Sequence, residues 1–398
     1  MRAARASEIM TAVYTVADYG RMLADEVRVR AYEGALRAVV KPGAVVLDIG
    51  TGTGFFAMLA ARLGAARVYA VDTNDAVHVA RDLVARNGLA DVIHCVQTAS
   101  TAIELEPRAD VIVSDLRGHL PLFGAHVGAL ADARARLLAP GGVILPRRDH
   151  LVCAPIESPH HHARLGAAWD TRAFGFDMRA GLVHATSAIH DASGPDFGPE
   201  RLLADPARFA TLEYGEPIDV VRGASSFVAR RAGVAHGMCA WFDADIHEGF
   251  GFSTGPGSDR VYGRAFFPFE EPLTLAVGDA LDVRWLARPG DGDYVWSWTT
   301  THRGAFGAVR TLSQTTFFAA ARLTRPEEIP DLGEGARIAR RALDLLDGTH
   351  SAAAIADVLT TEFPEFFVTE GPAVGWVQRL AARFEQAPLP KIPGLRRR

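Results

Sequence analysis

Along residues 17–40, ADYGRMLADEVRVRAYEGALRAVV, apolar side chains recur at helical spacing: Met22, Leu23, Val27, Ala31, Leu36, Val39 and Val40. Pro42-Gly43 stops that helix. Short apolar runs then alternate with helical segments. The predicted strands are 45–49 (VVLDI), 67–72 (RVYAVD), 92–96 (VIHCV), 110–114 (DVIVS) and one starting in 141–146 (GGVILP). The predicted helices are 54–63, 75–87 and about 125–138. Strands alternating with helices imply a parallel, doubly wound, Rossmann-like α/β domain over 41–147, preceded by a helical segment at 1–40.

The pattern changes after about residue 147. HLVCAPI, PIDVV, SSFVARR, GMCAWFDADI, RAFFPF, LTLAVGDALDVRWLA and YVWSWTT are strand-like and separated by turn residues. They predict an antiparallel β-barrel or sandwich over 148–325, interrupted early by a helical stretch at 160–172 and a loop-rich patch at 190–206. Trp296 and Trp298 alternate with Tyr294, as core residues on one strand face would. TRPEEIPDLGEG, 324–335, reads as a linker. Residues 336–386 read as three helices with a DGTHS turn, and 387–398, ending PLPKIPGLRRR, as a loose, basic, solvated tail.

Composition narrows the function classes. The chain has 398 residues, 48% of them hydrophobic, enough for two or three domains with large cores. Lys and Arg number 42 against 47 Asp and Glu, so the net charge of −5 carries no footprint for nucleic acid. No apolar run is long enough for a membrane span. MRAARASEIM at the start lacks the apolar centre of a secretory signal. Cys95, Cys153 and Cys239 are far apart, and they read as small buried hydrophobes of a reducing compartment. The expected location is the cytoplasm. His160, His161 and His162 are adjacent, so on a helix they point in different directions and make a poor metal site. His236 and His247 flank a strand and read as structural, and no metal is expected.

The chemistry-bearing stretch is VVLDIGTGTGFF. It places Asp48, Gly50, Gly52, Thr53 and Gly54 at the first strand-to-helix turn, where glycines let backbone N–H groups approach a ligand. Asp72 ends the second strand, with Thr73 after it, where an acid can accept from ribose hydroxyls. A G-x-G-x-x-G count from Gly50 puts Phe55 at the third glycine, so the dinucleotide fingerprint fails. The Asp48 carboxylate would repel a pyrophosphate but suit the cationic methionine end of S-adenosylmethionine. The D-x-G-x-G-x-G pattern therefore points to a methyl donor as cofactor.

With the helix before it, Asp72, the loop after the fourth strand and the trailing β-region, the chain resembles the protein arginine methyltransferases over about residues 12–325. MLADEVRVRAY (22–32) is similar to that family's segment before the nucleotide domain. The resemblance implies that Arg28 contacts the cofactor carboxylate, and that Met22 lies against the cofactor. It places Thr101 where the family has the glutamate for the adenine amino group, and Ser114 among the cofactor-site residues. GFGFSTGP…RAFFPFEEPLTLAVGD and HGMCAWFDADI are similar to the family's barrel segments. A dimerisation arm in the barrel domain, and hence a homodimer, is implied.

The substrate loop departs from the family. In SDLRGHLPLFG the first of two guanidinium-clamping glutamates becomes Asp115 and the second becomes Gly124. Arg117 and His119 stand where the family has methionine and an aromatic residue, and its Thr-His-Trp loop aligns with Arg260-Val261-Tyr262. Exchanging two acids for one acid, an arginine and a histidine shifts the local charge by about +2 to +3. Arginine forks onto carboxylates and phosphates, so the loop predicts an acceptor that carries a carboxylate. Asp115, Arg117 and His119 are the catalytic candidates, with His119 alternatively a general base for an amine or hydroxyl; the plain alternative is that Arg117 points to solvent or pairs with Asp115.

Residues 337–385 resemble the winged-helix peptide-carrier domain of pyrroloquinoline quinone biosynthesis, whose relatives recognise leader peptides of ribosomally made natural products. That resemblance implies a peptide or peptide-derived substrate held remotely from the chemistry. A helical cap on the barrel is the plain alternative. The function expected is thus S-adenosylmethionine-dependent methylation of a peptide or peptide-derived, non-arginine acceptor in natural-product biosynthesis. An arginine N-methyltransferase with a degenerate site, and an inactive cofactor-binding partner, are the alternatives.

Overall fold

The computed structural model describes residues 15–124, 126–167, 169, 175–290, 293–304, 307–316, 334–367, 370–384 and 392–397. The chain divides into two compact units, Met1–Leu323 with Lys391–Arg398, and Thr324–Pro390. Among the described residues, no helix is long and apolar enough to cross a membrane.

The larger unit opens with helix α1 (Val16–Ala24). Thr15 and Asp18 cap it reciprocally: each side chain reaches the other residue's backbone N–H. Helix α2 (Glu26–Val39) follows directly, with Asp25 as its N-cap, and buries Arg28, Ala31, Tyr32, Ala35 and Leu36. Those positions are spaced by three and four, so one face carries both the apolar stripe and the buried arginine.

Five strands then form the parallel sheet: β1 (Val45–Ile49), β2 (Arg67–Asp72), β3 (Ile93–Gln97), β5 (Ala109–Ser114) and β6 (Leu138–Leu145), in the order β3-β2-β1-β5-β6. All five β1 residues are buried, as expected of a strand covered on both faces. Helices α3 (Phe55–Arg62), α4 (Ala76–Arg86) and α5 (His126–Arg136) follow β1, β2 and β5. The strand order reverses direction on either side of β1. The ends of β1, β2 and β5 therefore open onto one crevice, the switch point at which such sheets bind ligands.

Beyond β6 the chain is antiparallel. A six-stranded sheet has the order β8-β13-β11-β7-β9 with β12 on β11, built from β7 (Arg148–Ile156), β8 (His190–Asp191), β9 (Ala207–Glu213), β11 (Gly233–His247), β12 (Phe250–Ser253) and β13 (Ala265–Leu275). A four-stranded sheet has the order β10-β14-β15-β16, from β10 (Val221–Val228), β14 (Ala280–Pro289), β15 (Tyr294–Arg303) and β16 (Val309–Thr315). The two form a sandwich. The Phe267 ring of one sheet meets Trp285, Trp296 and Trp298 of the other at centroid distances of 5.0–5.4 Å. Helix α6 (Pro159–Gly166) occupies the first part of the expected 160–172 helix, of which 168 and 170–172 lie outside the described residues. His161 packs edge-on to Phe197 and Phe266, and His162 Nε2 bonds the Phe269 carbonyl at 2.8 Å. Helix α7 is Ala180–Thr186.

The expected loose tail is corrected. Strand β17 (Leu395–Arg397) pairs antiparallel with β4 (Ile103–Leu105). The Pro393 carbonyl accepts from the Tyr69 hydroxyl at 2.8 Å, and the Gly394 carbonyl from Glu106 N at 2.7 Å. A Pro-rich, basic run reads as solvated because nothing local partners its backbone, and here the partner is a strand edge some 290 residues earlier in the chain.

The second unit has helices α8 (Glu334–Leu345), α9 (Ala352–Glu362) and α10 (Glu370–Phe384). Ile338, Ala342, Ile355, Ala356, Leu359, Phe367, Ala373 and Val377 make its core. Among the described residues it has no strand that would be a wing. Most of the expected 324–335 linker lies outside the described residues.

Candidate active site

The crevice at the ends of β1, β2 and β5 is a cavity of about 1090 Å³. Met22, Arg28, Gly50, Gly52, Thr53, Asp72, Thr73, Thr101, Asp115 and Arg117 line it. The glycine loop is shaped for close approach. Gly52 has φ +53°, and a Cβ there would come within 2.5 Å of the Tyr19 ring. Gly50 has φ +73°, with Leu116 in the same relation at 2.1 Å. Asp72 fastens the loop: one carboxylate oxygen accepts from Gly52 N and the other from Asn74 N, each at 2.8 Å. Two of its roughly four lone-pair positions stay open for hydroxyl donors.

Three expected cofactor contacts are not at the cavity wall. Asp48 is 1% exposed, and one of its oxygens accepts both the Thr51 hydroxyl (2.6 Å) and Ala57 N (3.1 Å). Burial pushes its carboxyl up to about 7, with the Thr51 bond opposing and Asp72 adding to the rise. Asp48 thus ties the loop to the first turn of α3 instead of facing a cationic ligand. Gly54 is the left-handed N-cap of α3 and turns toward Ala80. Ser114 is fully buried, and its carbonyl accepts from the Tyr32 hydroxyl at 2.9 Å. D-x-G-x-G-x-G spacing locates the loop but does not say which members fold it and which face the ligand.

The loop after β5 carries the densest electrostatics. Arg28, 6% exposed, donates from Nε to Asp115 (2.6 Å) and from Nη1 to the Met22 carbonyl (2.9 Å). Arg117, 2% exposed, forks onto Asp149 at 2.7 and 3.0 Å and also donates to Asp115 and the Tyr32 hydroxyl, both at 2.8 Å. Tyr262 donates to Asp115 as well. Burial alone would raise the Asp115 carboxyl, but the Arg28 and Arg117 guanidiniums hold it below the usual carboxylate range. Two arginines and two aspartates sum to zero charge in a space where none of the four side chains exceeds 7% exposure.

The expected anion-binding role of Arg117 is corrected by this arrangement, because its fork is filled by Asp149. His119 is also displaced: it pairs with Asp191 at 3.0 Å, about half exposed, and is not part of the cavity lining. Loop spacing could not show this, since Asp149 and Asp191 lie 32 and 72 residues further along.

Other site residues emerge only in three dimensions. The Tyr214 hydroxyl donates to Asp149 at 2.6 Å, so its oxygen is left to accept from His126 Nε2 at 3.2 Å. That fixes the imidazole as the Nε2–H tautomer. Burial, reinforced by Arg117, lowers His126 to about 3, so the ring is neutral. Asp25 accepts from Arg260 and from Val261 N, which docks the loop carrying Tyr262 against the start of α2. Tyr32 had a readable signal, since it follows Arg28 by four residues on one helix face. Asp149, an acid opening an apolar strand, was a weaker one.

Residues 33–146 match the family described as ribosomal protein L11 methyltransferase (PrmA). Probable protein arginine N-methyltransferase 1.2 of Arabidopsis thaliana is 30% identical over 274 residues, 65% of this chain and 73% of that protein. Protein arginine N-methyltransferase 6 of Danio rerio is 31% identical over 277 residues, 66% and 76% of the two chains. The fold is similar to the Trypanosoma brucei PRMT1 enzyme–prozyme heterotetrameric complex with AdoHcy (TM-score 0.68, 21% identity, 75% of this chain and 98% of that one). It is similar too to Arabidopsis thaliana protein arginine methyltransferase 10 (TM-score 0.64, 22% identity, 76% and 98%). The chain belongs to the protein arginine methyltransferase family and is an S-adenosylmethionine-dependent methyltransferase.

Proposed function

We propose that this chain methylates a nitrogen of a cationic, arginine-type side chain in a polypeptide. The observation that carries the reading is the closed fork of Arg117: its charge is cancelled by Asp149 and Asp115, so among the described residues the cavity wall offers no unpaired cation to a carboxylate acceptor. S-adenosylmethionine supplies the electrophilic methyl group. In this reading Arg28 takes its carboxylate end, with Met22 beside it, and Asp72 its ribose hydroxyls; all three line the cavity. Asp115, kept ionised by its two arginines, uses three of about four lone-pair positions on Arg28, Arg117 and Tyr262 and keeps one for an acceptor N–H. Positioning of this kind is worth several kcal/mol in an in-line displacement.

The same reading gives the helical unit the task of holding a longer stretch of the substrate, such as the leader of a natural-product precursor. Its self-contained core and the resemblance of 337–385 to a peptide-carrier domain support this. Labelled methyl transfer should be measured on arginine-containing and acidic peptides, each in a short and an extended form. Arginine peptides should be the better acceptors, and the extended form should have the lower KM. Preference for acidic peptides would sink the acceptor reading, and equal KM values would sink the role of the helices.

The reading includes a homodimer formed through the α6–α7 arm. The arm carries two exposed large apolar side chains, Phe176 at 70% and Val183 at 43%. Light scattering should give twice the chain mass for the wild type and the single-chain mass for Phe176→Asp/Val183→Asp. A monomeric wild type, or a double variant that stays dimeric, contradicts the arm as interface.

A further inference from the structure

The buried network around Asp115 leaves one hydrogen-bond position for an acceptor but no net charge, so a cationic acceptor entering this cavity needs a second carboxylate from elsewhere. Other acids line the cavity. Asp72 is occupied with the glycine loop, and Asp75 accepts from Gln97 at 2.7 Å on the same β2 side. Among the described residues the remaining one is Asp293, brought in from the sandwich by the β14–β15 hairpin.

Its setting is specific. One carboxylate oxygen, Oδ1, accepts from Tyr294 N at 2.8 Å and from Gly124 N at 3.3 Å. The Asp293 carbonyl accepts from Gly290 N at 2.7 Å, closing the hairpin end. The side chain is therefore held from two sides by backbone. Among the described residues, Asp293 makes no ion pair, and its Oδ2 has no hydrogen-bond partner. Gly124 has φ +49°, and a Cβ built on it would meet nothing within 4 Å, so the space beside this contact is open. The Tyr294 phenol is raised by burial and further by Asp219 and Asp293, which marks this end of the cavity as electronegative.

We propose that Asp293 is an acceptor-binding carboxylate, with its free oxygen receiving an N–H of the cationic side chain while the other oxygen stays on Gly124 and Tyr294. The position opposite Gly124 is thus acidic although the loop itself has lost its acid there. This rests on the cationic-acceptor reading above. Gly124 gains a function of its own, because its bare backbone N–H orients the carboxylate of a distant hairpin.

The test compares wild type, Asp293→Asn and Asp293→Glu, using an arginine-containing peptide and S-adenosylmethionine. Asparagine keeps the oxygen that serves Gly124 and Tyr294 and removes only the charge. The expected result for Asp293→Asn is a rise in peptide KM of about five- to thirtyfold, the size of one partly exposed charge-assisted hydrogen bond. S-adenosylhomocysteine affinity should be unchanged, and Asp293→Glu should recover most of the loss. Added salt should raise the wild-type KM more than that of Asp293→Asn. A wild type that methylates the arginine peptide together with an Asp293→Asn variant of equal KM and salt response overturns this inference and leaves the acceptor reading standing. A wild type that does not methylate the arginine peptide but does methylate an acidic one overturns both.

Discussion

Replacing Arg117 with Ala should lower the stability of the larger unit by about 3–5 kcal/mol, the cost of leaving a buried charge without its partner. The side chains of Arg117 and Asp149 are both 0% exposed and joined by two hydrogen bonds. Removing the guanidinium leaves Asp149 with the Tyr214 hydroxyl, and Asp115 with Arg28 and Tyr262. Denaturant unfolding should show the loss. Arg117→Ala/Asp149→Ala should lose clearly less than the two single variants summed, because the double variant strands no charge. An Arg117→Ala protein of wild-type stability with a switched acceptor preference would restore Arg117 as a substrate-facing group.

Asp48→Asn should remove a pH dependence of stability that the wild type carries from the ordinary carboxylate range up to about pH 7. The Asp48 carboxyl is pushed from 3.8 up to about 7, chiefly by burial. The neutral form is thus the one the fold favours. The stability it contributes is fully present below the ordinary carboxylate range and is lost as the pH rises through about 7. A rise of that size corresponds to about 4 kcal/mol between those limits. Asparagine presents a neutral oxygen to the Thr51 hydroxyl and Ala57 N in place of the carboxylate. At mildly alkaline pH the variant should therefore be the more stable protein, and at low pH the two should converge. Parallel stability-versus-pH curves for the two proteins would show that Asp48 ionises without penalty.

Both variants touch residues whose sequence signals pointed at a ligand and whose tertiary roles are internal. The D-x-G-x-G-x-G motif was legible because it needs only local geometry: a buried strand, a turn with positive φ, a helix start. Asp48 and Gly54 belong to that local machinery, whereas Gly50 and Gly52 form the wall. Nothing in the spacing separates the two groups, because the distinction is which side of the loop is covered. The charge on the loop after β5 was legible as composition and misleading as chemistry. Arg117 and His119 read as groups orienting an anion, whereas Asp149 and Asp191 come in from the sandwich domain to pair with them.

Chain order alone was enough for the parallel core, the antiparallel region after it, the three C-terminal helices and the glycine loop that lines the crevice. Each depends on hydrophobic periodicity or on residues close together in the chain, and such signals survive without knowledge of packing. Which charges cancel was settled by packing. It paired Arg28 with Asp115, Arg117 with Asp149, and the open side of Gly124 with Asp293 across 169 residues. It also turned a basic, Pro-rich tail into the strand that completes the edge at β4. Coulomb energies depend on distance and burial, and both are set by contacts that chain order does not reveal.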